Sequence, residues 1–110
     1  MTSVTIPEGV KKIGMQAFSN CKNLSSITIP GSVRIIDNAV FCDCKNLWKV
    51  TIPEGVQIIN ENAFAYCDRL NTIVLSKSIT RIHTTAFHRC DGLENIEYAS
   101  TREQFRKVYK

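Results

Sequence analysis

Long hydrophobic runs are missing from this 110-residue chain. No stretch approaches the roughly 18 consecutive apolar residues of a membrane-spanning helix, so we expect no membrane insertion. Charged residues are sparse, at 22% of the chain against 44% hydrophobic residues. That balance excludes an intrinsically disordered chain and indicates one globular domain over residues 1–110.

An excess of charge of one sign is missing from the body of the chain. The formal net charge is +4, but Arg102, Arg106, Lys107 and Lys110 against Glu103 place most of it in the last ten residues. A sequence-independent nucleic-acid site needs a basic surface that neutralises phosphates. The near-neutral body therefore argues against nucleic acid as a partner.

The main feature that the chain does have is an internal repeat of 23 residues. Its units open at Val4, Ile27, Val50, Ile73 and Ile96, with no insertion or deletion between them. A fixed period of this length is typical of a solenoid, in which each unit stacks only on its neighbours. The sequence therefore predicts four stacked coils and a C-terminal cap: residues 4–26, 27–49, 50–72 and 73–95, then 96–110.

Each unit has the same internal order of apolar positions, as the third unit illustrates. It opens with an alternating segment, residues 50–52, which predicts a strand with one buried face, and a proline then ends the strand. A second apolar pair, Val56 and Ile59, predicts a shorter extended segment. The Ala63-Phe64 pair then predicts a compact helical turn that ends on a cysteine.

The pattern L-x-x-I-x-I-P-x-x-V-x-x-I-x-x-x-A-F-x-x-C resembles the BspA-like, or Treponema pallidum type, leucine-rich repeats over roughly residues 2–100. The ending YASTREQFRKV is similar to the Y-x-G-T-x-x-Q-W-x-x-I ending of such arrays, with Ser100 for glycine and Phe105 for tryptophan. The resemblance implies a leucine-rich-repeat solenoid, mostly β, with a parallel sheet on its concave face. It also implies binding and adhesion rather than catalysis, mainly on the surfaces of bacteria and some parasitic protists.

The C-terminal residues are predicted to form a short capping helix. Thr101 and Gln104 have the spacing of an N-terminal capping box. The apolar side of this helix combines three residues spaced for one face: Phe105, Val108 and Tyr109. We expect the helix to cover the fourth coil together with Ile96 and Tyr98.

Five cysteines raise the question of a metal site or disulfides. Cys21, Cys44, Cys67 and Cys90 share one column, so stacking places them in a line about 4.8 Å apart. A line cannot supply the tetrahedron of ligands that zinc needs, and parallel side chains favour buried thiols over bridges. We therefore predict reduced thiols, with no metal and no cofactor. Cys42 lies outside this column and is the cysteine expected to reach solvent.

No residues are spaced for catalysis. His88 shares a column with Cys42 but lies two coils away, about 10 Å on the strand spacing. A nucleophilic pair needs an imidazole within hydrogen-bond reach of the thiol, and the carboxylates are dispersed over different columns. We therefore predict that the protein is not an enzyme. A thiol-dependent reaction at Cys42 is the alternative.

The outward positions of the opening strands and one tryptophan are the candidate protein-binding residues. The strand positions are small and mostly polar, which a solvated strand face needs even without a partner, so both interpretations stay open. Three outward columns are expected, the third running through Pro7, Pro30, Pro53, Ser76 and Ala99. Trp48 stands in an otherwise polar column, and an exposed tryptophan is typical of an interface anchor, with local packing as the alternative. The candidates are Trp48, Lys49, Tyr66, Thr28, Thr51, Thr72 and Val74.

The N-terminal coil lacks a segment comparable to the C-terminal cap. Its apolar residues are therefore expected to face solvent beside an open strand edge: Val4, Ile6, Val10, Ile13 and Phe18. Solenoids need a polar cap at such an end, and an open edge is a template for pairing. Either further repeats cover the face or two chains meet there, and we predict a homodimer about a two-fold axis.

These features together predict non-catalytic recognition of a protein whose identity the sequence does not give. The alternatives are a standalone inhibitor or decoy that occludes one protein, and a structural spacer from a larger surface protein. The N-terminal MTSVTIPEG already belongs to the repeat and carries no signal peptide. The expected location is therefore cytoplasmic for a complete chain and the cell surface or exterior for a fragment of an adhesin.

We predict that all five cysteines are free thiols, because column neighbours are oriented for burial rather than bridging. Protein unfolded and alkylated without reductant should gain five labels by mass spectrometry. A sample reduced beforehand is the control, and a higher label count in that control would indicate a disulfide.

Overall fold

The structure is a computed structural model that describes residues 2–15, 17–98 and 102–109, with side chains from residue 6 onward except that of Arg102. It is a solenoid with two parallel sheets. The sheet of longer strands contains β1 (Thr2–Thr5), β3 (Leu24–Thr28), β5 (Lys49–Thr51), β7 (Thr72–Leu75) and β9 (Asn95–Tyr98) in chain order. The second sheet contains β2 (Lys12–Ile13), β4 (Ile35–Ile36), β6 (Ile58–Ile59) and β8 (Arg81–Ile82). Helix α1 (Arg102–Val108) follows β9.

Strand pairing follows the 23-residue period. Val50 pairs with Ile27 on one side and Ile73 on the other, and Ile59 pairs with Ile36 and Ile82 in the second sheet. Each inward side chain therefore lies on its counterpart from the neighbouring coil. This register confirms the predicted leucine-rich-repeat solenoid of about four turns, and β2, β4, β6 and β8 are the predicted second extended segments.

The turns after the second sheet are also bonded from coil to coil. The amide of Phe41 donates to the carbonyl of Ala63 at 2.8 Å, and the amide of Phe64 donates to the carbonyl of Ala86 at 2.8 Å. The helical turn predicted at the Ala-Phe pair is therefore wrong, since these segments are hydrogen-bonded turns. Their amides point to the next coil, and residues with positive φ on either side, Asn62 (55°) and Tyr66 (61°), interrupt a right-handed helix.

A stack of phenylalanine rings runs through the core. Phe41 and Phe64 lie with ring centroids 5.1 Å apart and planes 9° from parallel, and both are fully buried. Phe18 and Phe87 extend the stack at 5.4 and 5.6 Å and are only partly buried. The aromatic column is thus packed on both faces in the middle coils and on one face at its ends.

Helix α1 covers only part of the C-terminal end. Val108 is buried, Tyr109 forms a backbone bridge with Ile82, and Phe105 packs edge-on against Tyr98 at 5.7 Å. The prediction that the helix also covers Ile96 is wrong, because this side chain is 44% exposed. The helix lies against β8. Thr101, the expected helix cap, lies outside the described residues.

We expect Phe64→Ala to lower the free energy of unfolding by about 3–5 kcal/mol, because it leaves a cavity between two stacked rings. That is a large share of the stability of a small domain. Chemical denaturation measures it, with Phe87→Ala as the matched control. The half-buried Phe87 should cost less, and equal losses for the two variants would contradict the described packing.

Candidate functional site

The outward side chains of the longer-strand sheet form two adjacent rows across the coils. One row aligns Lys49 with Thr72, and the other aligns Thr28, Thr51 and Val74. Thr28, Lys49 and Thr51 are exposed, whereas Thr72 and Val74 are half-buried. We call these five residues the strand face. The structure therefore brings the predicted strand positions together on one surface.

The third outward column expected from the sequence is wrong at two of its members; of the others, Pro7 is exposed, Pro53 is half-buried and Ala99 lies outside the described residues. Pro30 and Ser76 are buried rather than presented on the strand face. The Ser76 hydroxyl donates to the carbonyl of Pro53 at 3.0 Å, which turns this side chain inward. These residues belong to the bend between the two sheets and do not extend the candidate binding surface.

Trp48 lies directly before β5 and is 48% exposed, as the polar character of its column predicted. Its amide donates to the carbonyl of Ser25 at 3.1 Å, and its carbonyl accepts from the amide of Asn71 at 2.9 Å. The backbone is therefore held by both neighbouring coils while about half of the indole remains open to solvent. A fixed backbone under an exposed aromatic ring is suited to an interface anchor.

Tyr66 occupies a different surface, on the turn after the second sheet. It is 40% exposed and has a φ of 61°, and its column mates Asn20, Asp43 and Arg89 have φ values from 59° to 61°. Asn and Asp tolerate this left-handed conformation better than an aromatic residue does. The amide of Tyr66 donates to the carbonyl of His88 at 2.8 Å, which holds the strained conformation in place.

Charged and aromatic side chains surround Tyr66. Lys45 lies over its ring at 5.8 Å and contacts the carboxylates of Asp43 at 3.0 Å and Asp68 at 3.2 Å. The hydrogen bond to Asp43, followed by the contacts with Asp68, raises the pKa of Lys45 and keeps it charged. The ring of His88 meets that of Tyr66 edge-on at 5.6 Å.

Trp48, Lys49 and Tyr66 lie on two different elements of the coil. Lys49 lies on the strand face beside Trp48, whereas the cation over the Tyr66 ring is Lys45. Trp48 and Tyr66 make no ring contact with each other in the described part of the chain. The sequence did contain the missed signal, because Lys45 and Asp68 are 23 residues apart and therefore share a column.

The column cysteines have a structural role that spacing did not reveal. Three of the four column thiols donate to the carbonyl of a phenylalanine in the preceding coil: Cys44 to Phe18 at 3.2 Å, Cys67 to Phe41 at 3.1 Å and Cys90 to Phe64 at 2.9 Å. All five cysteines are free in the structure. Contacts with the neighbouring column thiols, followed by burial, raise the pKa of Cys67, so it stays protonated.

Cys42 has the environment of an inert thiol. It is half-buried, as Cys21 and Cys90 are, so it is not set apart by exposure as expected. Burial, followed by the charge of Asp43, raises the pKa of Cys42 and disfavours the reactive thiolate. His88 packs on Tyr66 instead. Among residues 2–15, 17–98 and 102–109, no three His, Cys, Asp or Glu side chains are grouped to hold a metal ion.

The first coil contains an apolar groove of about 320 Å³ whose lining includes Ile6, Val10, Ile13 and Phe18. Ile6 and Ile13 are only 8% and 4% exposed, so the expectation that they face solvent is wrong. They belong to the hydrophobic core cluster, whereas Val10 and Phe18 are half-buried and pack against it. The side chain of Val4, the remaining residue of that set, lies outside the described side chains.

Comparisons with known proteins agree with this geometry. The sequence model of the BspA type leucine rich repeat region matches residues 1–109 in six copies. The crystal structure of a leucine rich cell surface protein from Faecalibacterium prausnitzii A2-165 matches with a TM-score of 0.87 and 31% identity, over 97% of this chain and 34% of that one. The T. pallidum leucine rich repeat protein matches with a TM-score of 0.62 and 18% identity, over 86% of this chain and 68% of that one, which shows the fold alone. None of the curated proteins compared with the chain matches it.

Two further facts concern the chain as a whole. The chain spans about a third of the length of the F. prausnitzii protein. In the parts of the chain that the structure describes, no helix has both the length and the apolar character to cross a membrane.

We expect Tyr66→Asn to be more stable than Tyr66→Ala by about 1 kcal/mol, because Asn tolerates the left-handed backbone at this position better than Ala does. Both substitutions lose the contact with His88, so the comparison isolates the backbone effect. The same two substitutions at Met15, which does not have a positive φ, are the control and should not favour Asn. Equal unfolding free energies for the two Tyr66 variants would contradict the strain.

Proposed function

The chain belongs to the BspA-type leucine-rich repeat family, and from that premise we propose that it is a non-catalytic protein-binding module of an adhesion type. Its repeats match those of a protein described as a leucine rich cell surface protein, of which it spans about a third. By the same likeness we propose that it acts at a cell surface. The surroundings of Cys42 disfavour the thiolate, and His88 packs on Tyr66 rather than on that thiol. Both observations favour binding over catalysis.

The observation that carries the proposal is Trp48 beside the strand face. Interface anchors are enriched in tryptophan and are surrounded by contacts of small individual energy that exclude water. Trp48 offers the anchor, and the rows through Thr28, Thr51 and Thr72 offer small polar neighbours. The rigid backbone at Trp48 lowers the ordering cost that binding incurs.

The chemistry of this surface indicates a protein partner. Lys49 is the one charged member of the strand face, and the exposed Glu97 continues its second row beyond Val74, so this surface does not suit a polyanion that needs several phosphate contacts. The partner surface that fits best has an apolar recess for the indole and polar groups around that recess. Such a surface complements a site whose centre is apolar and whose rim is polar.

We predict that Trp48→Ala weakens binding by at least about 30-fold, which corresponds to about 2 kcal/mol for an anchor residue. Binders are selected from a displayed library of secreted and cell-surface proteins, and their dissociation constants are measured by surface plasmon resonance. Tyr66→Ala is the matched control, because it removes an exposed aromatic ring from a different surface.

Selected binders should lose affinity for Trp48→Ala and also for Thr51→Arg, which places a bulky charge on the strand face. They should keep their affinity for Tyr66→Ala. Binders that are indifferent to both strand-face variants, or that depend on Tyr66 alone, would contradict the proposed surface.

A further inference from the structure

Two residues change the character of the second row of the strand face. The row begins with Thr28 and Thr51, which are both exposed and uncharged. It continues with the half-buried Val74, and β9 then pairs the exposed Glu97 with Val74. An apolar residue and a carboxylate on β7 and β9 therefore follow the two threonines of β3 and β5.

These two residues line a pocket of about 290 Å³ at the carboxyl ends of β7 and β9, together with Leu75 and Tyr98. Three of the four lining residues are apolar or aromatic, and the fourth is Glu97. Within the described part of the chain, no side chain forms an ion pair with the Glu97 carboxylate. Small-molecule sites have volumes of about 300 to 1,000 Å³, so this pocket suits one side chain rather than a whole small ligand.

A long basic side chain matches this combination of groups. Lysine and arginine lay their aliphatic stems along apolar surface while the charged group stays near water. In the pocket the stem would contact Val74 and the charged group would meet Glu97. An acidic side chain would be repelled, and an apolar one would bury the carboxylate without a partner. Lys77, the lysine nearest to the pocket in the sequence, is not one of the lining residues.

Hydrogen bonds fix the surface between Trp48 and this pocket. The Thr72 hydroxyl donates to Oδ1 of Asn71 at 2.9 Å, and Nδ2 of Asn95 donates to the same oxygen at 3.1 Å. The amide of Asn71 donates in turn to the carbonyl of Trp48 at 2.9 Å. The anchor and the pocket therefore belong to one rigid arrangement, which lowers the cost of ordering when both are bound.

Trp48 and the pocket are close enough for one partner to contact both. Glu97 lies two strands across and three residues along from Trp48, a Cα separation of about 14 Å on strand geometry. A standard interface buries about 800 Å² on each partner, which is a patch about 30 Å across. A single contact centred between the two residues therefore includes both.

The charges of this surface differ in sign from one side to the other. Lys49 is exposed on β5, Glu97 is exposed on β9, and β7 places the uncharged Thr72 and Val74 between them. A partner in the reverse orientation would bring its basic group to Lys49, and like charges across an interface are costly. The polarity therefore sets the orientation of a partner as well as its affinity.

From these observations we propose that the pocket binds a lysine or arginine side chain of the protein that buries Trp48. The partner surface carries that basic group about 14 Å from the apolar recess for the indole. This inference rests on the proposed protein-binding function and adds a charge requirement to it.

Binders selected from the displayed library for dependence on Trp48 test the proposal, with dissociation constants measured by surface plasmon resonance. Glu97→Thr restores the residue type of Thr28 and Thr51, so its folding is at little risk, and it should weaken binding about 5-fold. Glu97→Lys should weaken binding at least about 30-fold, because it sets like charges against each other. Glu61→Lys is the matched control, since it reverses an exposed carboxylate on the turn after the second sheet and should leave binding unchanged. Circular dichroism and thermal melting verify the folding of each variant.

A charge exchange identifies the partner residue. Each lysine and arginine of a binder is replaced by glutamate, and one replacement should lose affinity for the wild-type chain and recover it toward Glu97→Lys. Binders that depend on Trp48 but bind both Glu97 variants as tightly as the wild-type chain overturn this inference alone, as does an equal loss for Glu61→Lys. Binders that are indifferent to Trp48→Ala overturn the protein-binding proposal on which it rests, and this inference with it.

Discussion

Backbone hydrogen bonds between neighbouring coils are the constraint on which this structure depends. They occur in both sheets and in the turns, and they join residues 22 to 24 positions apart, such as Gln57 to Arg34, Asn60 to Ile36 and Tyr66 to His88. A one-residue slip in the pairing of a strand with its neighbour would turn its inward side chains outward. The strict 23-residue spacing, the aligned apolar columns and the phenylalanine stack all follow from keeping these bonds in register.

The same constraint explains where recognition is possible. The buried positions of the phenylalanine stack must hold similar residues in every coil. Surface positions are not under this requirement, so a surface residue that differs from the rest of its column can serve recognition. Trp48 replaces polar residues beside the strand face, Tyr66 occupies a left-handed position next to Lys45, and Met15 replaces polar residues at the first coil. Each of these three residues differs in type from the other members of its column.

The periodicity predicted the coils, both sheets and the buried columns, because each depends only on the spacing of apolar residues. The turn after the second sheet was not predictable in this way, since its conformation depends on positive φ values and on amides that bond to the next coil rather than within a helix. Exposure at the ends was also not predicted: Ile6 and Ile13 are buried in the core cluster, whereas Ile96 is 44% exposed. Contacts across the turn, such as that of Lys45 with the Tyr66 ring, depend on the conformation of the coil as well as on its period.

The turns are hydrogen-bonded between coils as firmly as the strands are. Residue-resolved amide hydrogen exchange tests it most directly, because protection reports which amides open only with the loss of neighbouring coils. The turn amides of Phe64 and Tyr66 should exchange as slowly as the strand amides of the same coil. Protection should fall toward the first coil. Turn amides that exchange at the rate of an unfolded peptide while the strands stay protected would contradict it.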